Sequence, residues 1–264
     1  MLKPSALALL LAFALGAQPP SPGRAESRPV NESTAEDAAV VAAIEPARKE
    51  IVAGFGKVLV KAPKGVFRGR AGEENLLGYW IADSMRQRAA TVLGAPVRFA
   101  ITNAGGVRAN LRAGEIKVGD VFEVMPFENE MVVIELTGAE VIGAVKEGLV
   151  RRGGEPCSGV KAVVSGVPGA ATLSVTWADG SPIDPQEMVK VATSDYLFNG
   201  GDAIPSLRKG RRPYTTGLSI RQILLDACAA LDKAGRTLDP PAGGRYSIPA
   251  EVVQAIRDKK FSLP

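Results

Sequence analysis

The chain has 264 residues, 46% hydrophobic and 23% charged, and its glycines and prolines follow no fixed period. That fits one sizeable buried core, or one domain plus a short extension, and excludes disordered and fibrous chains. A formal charge of +4 without a dense basic run argues against a nucleic-acid surface or electrostatic adsorption to a membrane.

In chain order, residues 1–25 read as a secretory signal peptide. Lys3 supplies the positive start, and Ala6 to Ala17 form an apolar stretch too short for a spanning helix. Small residues allow cleavage after Ala17 or after Ala25, and the Gly23-Arg24-Ala25 context favours the second; a retained anchor is the competing reading. Cleavage takes the two positive charges of Lys3 and Arg24 from the +4 and leaves +2. A signal implies a periplasmic or secreted protein with no anchor after processing. Residues 26–35, polar with Pro and Ser, form a flexible linker ahead of a domain spanning 36–264. Its leading helix, 36–53, carries Val40, Ile44, Ala47 and Ile51 on one face, and Pro46 predicts a kink or two short helices.

A strand is predicted over Phe55 to Ala62. The clearest helix runs from Asn75 to Gly94, with Leu77, Ile81, Met85, Ala89 and Val92 as its apolar stripe and Gly94 as its stop. Val97 to Thr102 is a short strand, and Met131 to Leu136 another. Thr137-Gly138-Ala139-Glu140 has the form of a capping box that opens a helix burying Val141, Ile142, Val145 and Leu149. Strands around Val160 to Ser165, Thr172 to Trp177 and Met188 to Thr193 follow. Arg208-Lys209-Gly210-Arg211-Arg212 reads as a solvated loop, and a last helix runs from Ser219 to Ala234. Strands clustered among helices predict an α+β fold rather than a regular parallel sheet. Cys157 and Cys228 are chemically free to pair in an exported protein, and spacing alone leaves a disulfide open.

Three segments carry chemistry. Asn103-Ala104-Gly105-Gly106-Val107-Arg108 follows a strand, and its paired glycines permit a close backbone path while Arg108 offers a planar fork to a phosphate or carboxylate. In Met125-Pro126-Phe127-Glu128-Asn129 a proline-stiffened segment presents an aromatic face suited to a heterocyclic base; taken singly, Phe127 also fits a core position. Tyr196-Leu197-Phe198-Asn199-Gly200-Gly201-Asp202 ends a strand in a turn that presents a carboxylate able to accept from ribose hydroxyls. Singly, each segment is also an ordinary turn.

Their order is more specific. An arginine-bearing strip (Arg68, Arg70), an N-x-G-G-x-R turn, a P-F-x-N segment and an aromatic six residues before an aspartate resemble the C-terminal, substrate-recognising domain of the 5'-nucleotidase family, over roughly Asp37 to Ser247. The resemblance implies a layered α/β/β/α mixed-sheet domain. It also implies a base stacked between Phe127 and Tyr196, a ribose on Asp202, and polar contacts from Asn103 and Asn129. The phosphate side would face Arg108 with Arg68 or Arg70, and Gly105, Gly106, Asn199, Gly200 and Gly201 would shape the turns. Asp83 is expected to be structural. In that family hydrolysis belongs to a separate metallophosphatase domain that holds two metals largely through histidine and aspartate. This sequence has no histidine and none of those metal-binding segments, so no catalytic residue, metal site or cofactor is expected in it, and divalent metals enter only with a partner metallophosphatase. Ser-His and Cys-His schemes are excluded, and no phosphate-loop or dinucleotide fingerprint is present. Three functions follow as expectations: an exported nucleotide- or nucleoside-binding domain tied to nucleotide catabolism, the substrate-binding subunit of a split nucleotidase, or a structural module of the cell envelope.

Overall fold

A computed structural model describes residues 27–263; the expected signal peptide lies outside the described residues. The chain divides into two compact units, residues 1–48 and 49–264. In the first, residues 27–37 carry no helix or strand. Helix α1 (Ala38–Phe55) begins in the first unit and ends in the second. It runs without a break through Pro46 rather than as two helices, and the carbonyl deprived of its partner belongs to the exposed Ala42, where water can satisfy it. Phe55 closes the helix instead of opening a strand, because the Gly56 N–H still donates to the Val52 carbonyl. No helix among the described residues is long and apolar enough to cross a membrane.

The second unit is a mixed α/β structure built around a five-stranded sheet, as the clustered strands predict. Its strands are β2 (Phe99–Ile101), β4 (Glu130–Thr137), β5 (Cys157–Ser158), β8 (Met188–Ser194) and β9 (Arg211–Ser219), in the order β5-β2-β8-β4-β9. Only β2 and β8 run parallel. A two-stranded antiparallel pair, β1 (Val58–Ala62) with β3 (Gly114–Lys117), and a three-stranded sheet of β6 (Val160–Ser165), β7 (Thr172–Trp177) and β10 (Tyr246–Ser247) complete the strands.

Side chains alternate across the five-stranded sheet and feed two cores. Ala100, Met131, Val133 and Ala192 face helices α2 (Leu76–Leu93) and α6 (Ile220–Lys233), which contribute Ile81, Met85, Ile223 and Leu224. Phe99, Ile101, Val132, Ile134 and Val191 face the other way, toward α4 (Gly138–Arg152) and the three-stranded sheet, where Val141, Val145, Val160, Ala162 and Trp177 close the layer. Each fully buried valine, leucine, isoleucine, phenylalanine or methionine among them contributes about 1.5–3 kcal/mol. A third cluster joins Leu149 and Val164 to Val252 and Ile256 of α7 (Ala250–Arg257). The two cysteines fall in different cores, Cys157 in the second and Cys228 in the first, and both are free thiols. Burial pushes them up, to about 11 and about 12 respectively, so neither is a reactive thiolate near neutral pH. The Arg208–Arg212 run is not a loop: it passes from a 3-10 turn (Pro205–Lys209) into β9. Arg211 forks onto Glu140 at 2.7 and 3.1 Å, and Arg212 pairs with Glu135.

Local signals hold where they are strong. The Asn75 side chain accepts from the Gly78 N–H at the start of α2, and Gly94 ends it in the left-handed conformation. Thr137 and Glu140 form the reciprocal capping box of α4. Gly159 sits at φ +95°, and a Cβ there would lie 1.9 Å from the Arg98 carbonyl oxygen, so this crossing beside β5 admits no side chain. Thr137→Ala should cost about 1 kcal/mol through lost capping, and Gly159→Ala roughly 3 kcal/mol through clash and strain. Urea-denaturation midpoints of the two variants check the ranking.

Candidate functional site

The register of the five-stranded sheet delivers three loops to one end. Strands β2 and β8 are parallel, with Ala100 opposite Ala192, so the chain leaves both at that end. Strand β4 is antiparallel to β8, with Met131 opposite Ser194, so it begins there. The segment after β2 holds Asn103 to Arg108, the one before β4 holds Phe127 and Asn129, and the one after β8 holds Tyr196 to Asp202.

Between them lies a cleft of about 340 Å³ lined by Asn103, Gly105, Gly106, Arg108, Phe127, Asn129, Arg152, Tyr196 and Asp202. Eight of these are residues expected from sequence, and Arg152 is an addition. Phe127 and Tyr196 are 44% and 43% exposed, unusual for rings that could have joined a core. Arg108 donates to the Gly105 carbonyl, and its guanidinium carbon lies 6.0 Å from the centre of the Phe127 ring.

The remaining expected residues stand behind or beside the cleft. Gly201 lies under the Tyr196 ring: a Cβ there would come within 2.5 Å of it. Asn199 ends the short helix α5 (Asp195–Phe198), which carries Tyr196, and Gly200 takes φ +99° to turn the chain. Arg68 donates to the Val107 carbonyl at 2.6 Å, bracing the arginine-bearing turn from outside. The Arg70 guanidinium has no hydrogen bond or ion pair among the described residues. It lines an adjoining cleft of about 420 Å³ whose wall also holds Arg151, Arg152, Arg257 and Lys259. Arg152 borders both clefts. Asp83 is held at 2.6 Å by Arg245 and at 2.6 Å by Ser158, a structural tie.

The carboxylate of Asp202 is already engaged. Arg151 approaches it at 2.7 Å, Arg152 at 3.5 Å, and the buried Asn103 amide donates to it at 2.9 Å. Asp202 and Ala203 both sit at positive φ, 53° and 51°, a conformation that costs non-glycine residues of order 1–3 kcal/mol and persists only when surroundings enforce it. Charge-assisted bonds from two arginines supply that enforcement. A carboxylate offers about four acceptor positions, and three donors leave room for a further one.

Sequence reading missed the group beneath this network. Glu155 is fully buried and accepts from the Ala104 N–H at 2.6 Å, fixing the glycine turn. Its other oxygen lacks an aligned donor, although Arg152 and Arg151 stand 3.5 and 3.8 Å away. Burial pushes the Glu155 carboxyl up to about 7, aided by the negative Asp202 and opposed by the Ala104 amide and the two arginines. Its partners lie three, four and 51 residues away. Only the spacing of Arg151 and Arg152 from Glu155 was visible in sequence, and that spacing is common on helices. Among the described residues, no three histidine, cysteine, aspartate or glutamate side chains converge to hold a metal ion.

An acid whose folded value lies above its unfolded value binds its proton more tightly when folded. Its contribution to stability is complete below about 4.5 and is lost as pH rises through about 7. Glu155→Gln, which keeps an acceptor for the Ala104 N–H, removes this dependence. The stability difference between variant and wild type should therefore shift in the variant's favour by roughly 3 kcal/mol between pH 4.5 and pH 8. Urea unfolding of both proteins at the two pH values reads it.

Comparisons with known proteins place the fold in a family. Residues 54–209 match the 5'-nucleotidase, C-terminal domain family. The chain is 32% identical over 184 residues to the trifunctional nucleotide phosphoesterase protein YfkN of Bacillus subtilis, covering 66% of this chain and 12% of that protein. It is 33% identical over 149 residues to the cell wall protein Lmo0130 of Listeria monocytogenes, covering 52% and 19%. A crystal structure of a 5'-nucleotidase precursor from Thermus thermophilus superposes with a TM-score of 0.68 at 26% identity, over 81% of this chain and 43% of that one. The chain thus spans less than half the length of each of these relatives. With the match extending over more than half of its own length, the chain belongs to the 5'-nucleotidase C-terminal domain family.

Proposed function

We propose that the chain is an exported nucleotide-recognition domain, and that the cleft between Phe127 and Tyr196 is where it takes its ligand. The observation that carries this reading is the pair of half-exposed rings facing one cleft that also holds an arginine and a carboxylate. A purine or pyrimidine stacks between the rings, and ribose hydroxyls donate to the open position of Asp202. The phosphate side meets Arg108 and the unpaired guanidinium of Arg70, whereas Arg68 is committed to the Val107 carbonyl. Asn103 and Asn129 supply polar contacts to base and sugar. In this reading the residues of the cleft bind and orient the nucleotide. Export rests on the apolar leader and on the cell wall protein among the relatives.

A second reading, the recognition subunit of a split nucleotidase acting with a separately encoded metallophosphatase, draws on the extent of the relatives beyond the matched part. In that arrangement the partner brings the metals and the hydrolytic step.

Isothermal calorimetry with AMP and UMP tests the cleft directly. A base–aromatic stack contributes about 1–3 kcal/mol, so Phe127→Ala and Tyr196→Ala should each weaken binding by about 5- to 150-fold. Equal heats from wild type and both variants would remove the cleft from consideration.

A further inference from the structure

We infer that Arg221 is a positioning residue for the aromatic cleft: anchored in α6, it fixes the segment that carries Phe127 and thereby sets the stacking geometry offered to a base. The inference rests on the nucleotide reading above.

Phe127 is 44% exposed, makes no aromatic pair among the described residues and has the Arg108 guanidinium 6.0 Å from its ring centre. Its immediate neighbours are held. The Arg221 guanidinium is buried; its Nη1 donates to the Met125 carbonyl at 3.2 Å, and its Nη2 pairs with Glu128. One planar fork therefore grips the chain two residues before Phe127 and one residue after it. The guanidinium is itself fixed, stacked 4.1 Å from the centre of the Phe122 ring. Beside it, the Ile220 N–H donates to the Asn129 carbonyl at 2.9 Å, so the first two residues of α6 close the loop at both ends.

The chemistry of the fork is what the position needs. Arginine presents parallel donors in one rigid plane and stays charged when desolvated, whereas lysine offers a single point charge. Glu128 is 74% exposed at its side chain but Arg221 only 9%, so losing the pair strips a buried guanidinium of its carboxylate and lowers global stability. The other consequence is local: without the pair, the distal arm of the fork loses its hold on the residue next to Phe127.

The test uses the whole chain, with ethenoadenosine 5'-monophosphate as probe, whose fluorescence is quenched on stacking against an aromatic ring. Glu128→Ala and Arg221→Lys are compared with wild type for affinity, quenching at saturation and thermal melting. Glu128→Ala should melt below wild type yet remain folded, bind about five- to tenfold more weakly, and show reduced quenching when saturated. Arg221→Lys should lose quenching in the same sense. Quenching at saturation reports how the bound base meets the ring, a property that a merely stabilising residue leaves alone. Wild-type quenching in both saturated variants overturns the inference while leaving the nucleotide reading intact. If wild type binds no probe at all, the reading and the inference fall together.

Discussion

The site depends on one constraint, the register of three strands at the centre of the five-stranded sheet. Ala100 opposite Ala192 and Met131 opposite Ser194 place three chemically distinct loops at one end of the sheet. A slip of one residue would turn each strand's buried face toward the wrong core, so the hydrophobic alternation that builds two cores also fixes where the loops emerge. The strands' attachment is reinforced at the point of exit. One oxygen of the Asp195 carboxylate accepts from the Glu130 N–H at 3.2 Å and from the Tyr196 N–H at 2.7 Å. A single side chain thus ties the start of β4, just beyond Asn129, to the residue bearing the second ring.

Electrostatics decide which parts of the cleft are rigid. Two arginines stand between two carboxylates, one nearly buried and one wholly so, with the Asn103 amide and the Ala104 N–H completing the donors. Breaking one member of such a cluster leaves an uncompensated charge in a poorly solvated place, which costs far more than the pair contributes in net stability. That asymmetry holds Asp202 and Ala203 in a left-handed turn that neither residue favours. Burial raises the Glu155 carboxyl, because desolvation outweighs the Ala104 amide and the two arginines. A turn pinned by charge is already shaped and has little freedom left to lose.

Much of this was legible in the sequence for local reasons. Asn75 and Gly94 bounded α2, and Thr137 with Glu140 opened α4, because caps act within one turn of chain. Strands β6 and β7 were legible from alternation, visible in the regular buried–exposed pattern of Val160 to Ser165. Strand β9 was not: most of Arg211 to Ser219 is exposed, and an edge strand of that kind carries no alternation to read. Strand β1 was legible but its partner β3 was not: the pair joins residues more than fifty positions apart, and a four-residue strand gives a weak signal. In the cleft, the aromatic, glycine and arginine motifs announced eight of its residues. Arg151, Arg152 and Glu155 stayed hidden because their meaning comes from Asp202 and Ala104, each about fifty residues distant.

Asp202 and the glycine turn are held by charge, and the Phe127 segment by the buried Arg221, yet the rings themselves remain half in solvent. Exposed rings on a fixed backbone are a physically coherent arrangement for recognition. Their apolar faces stay hydrated until a flat ligand displaces that water, and the backbone then pays little entropy to keep them in place. Gly201 adds a second support by lying flush beneath Tyr196, where any side chain would push the ring into the cleft. The unpaired guanidinium of Arg70 contrasts with the committed one of Arg68. Arg68 uses one of its five donors in this brace, and the Arg70 guanidinium uses none among the described residues. The cleft therefore combines turns held rigid by charge with two ring faces left open to solvent.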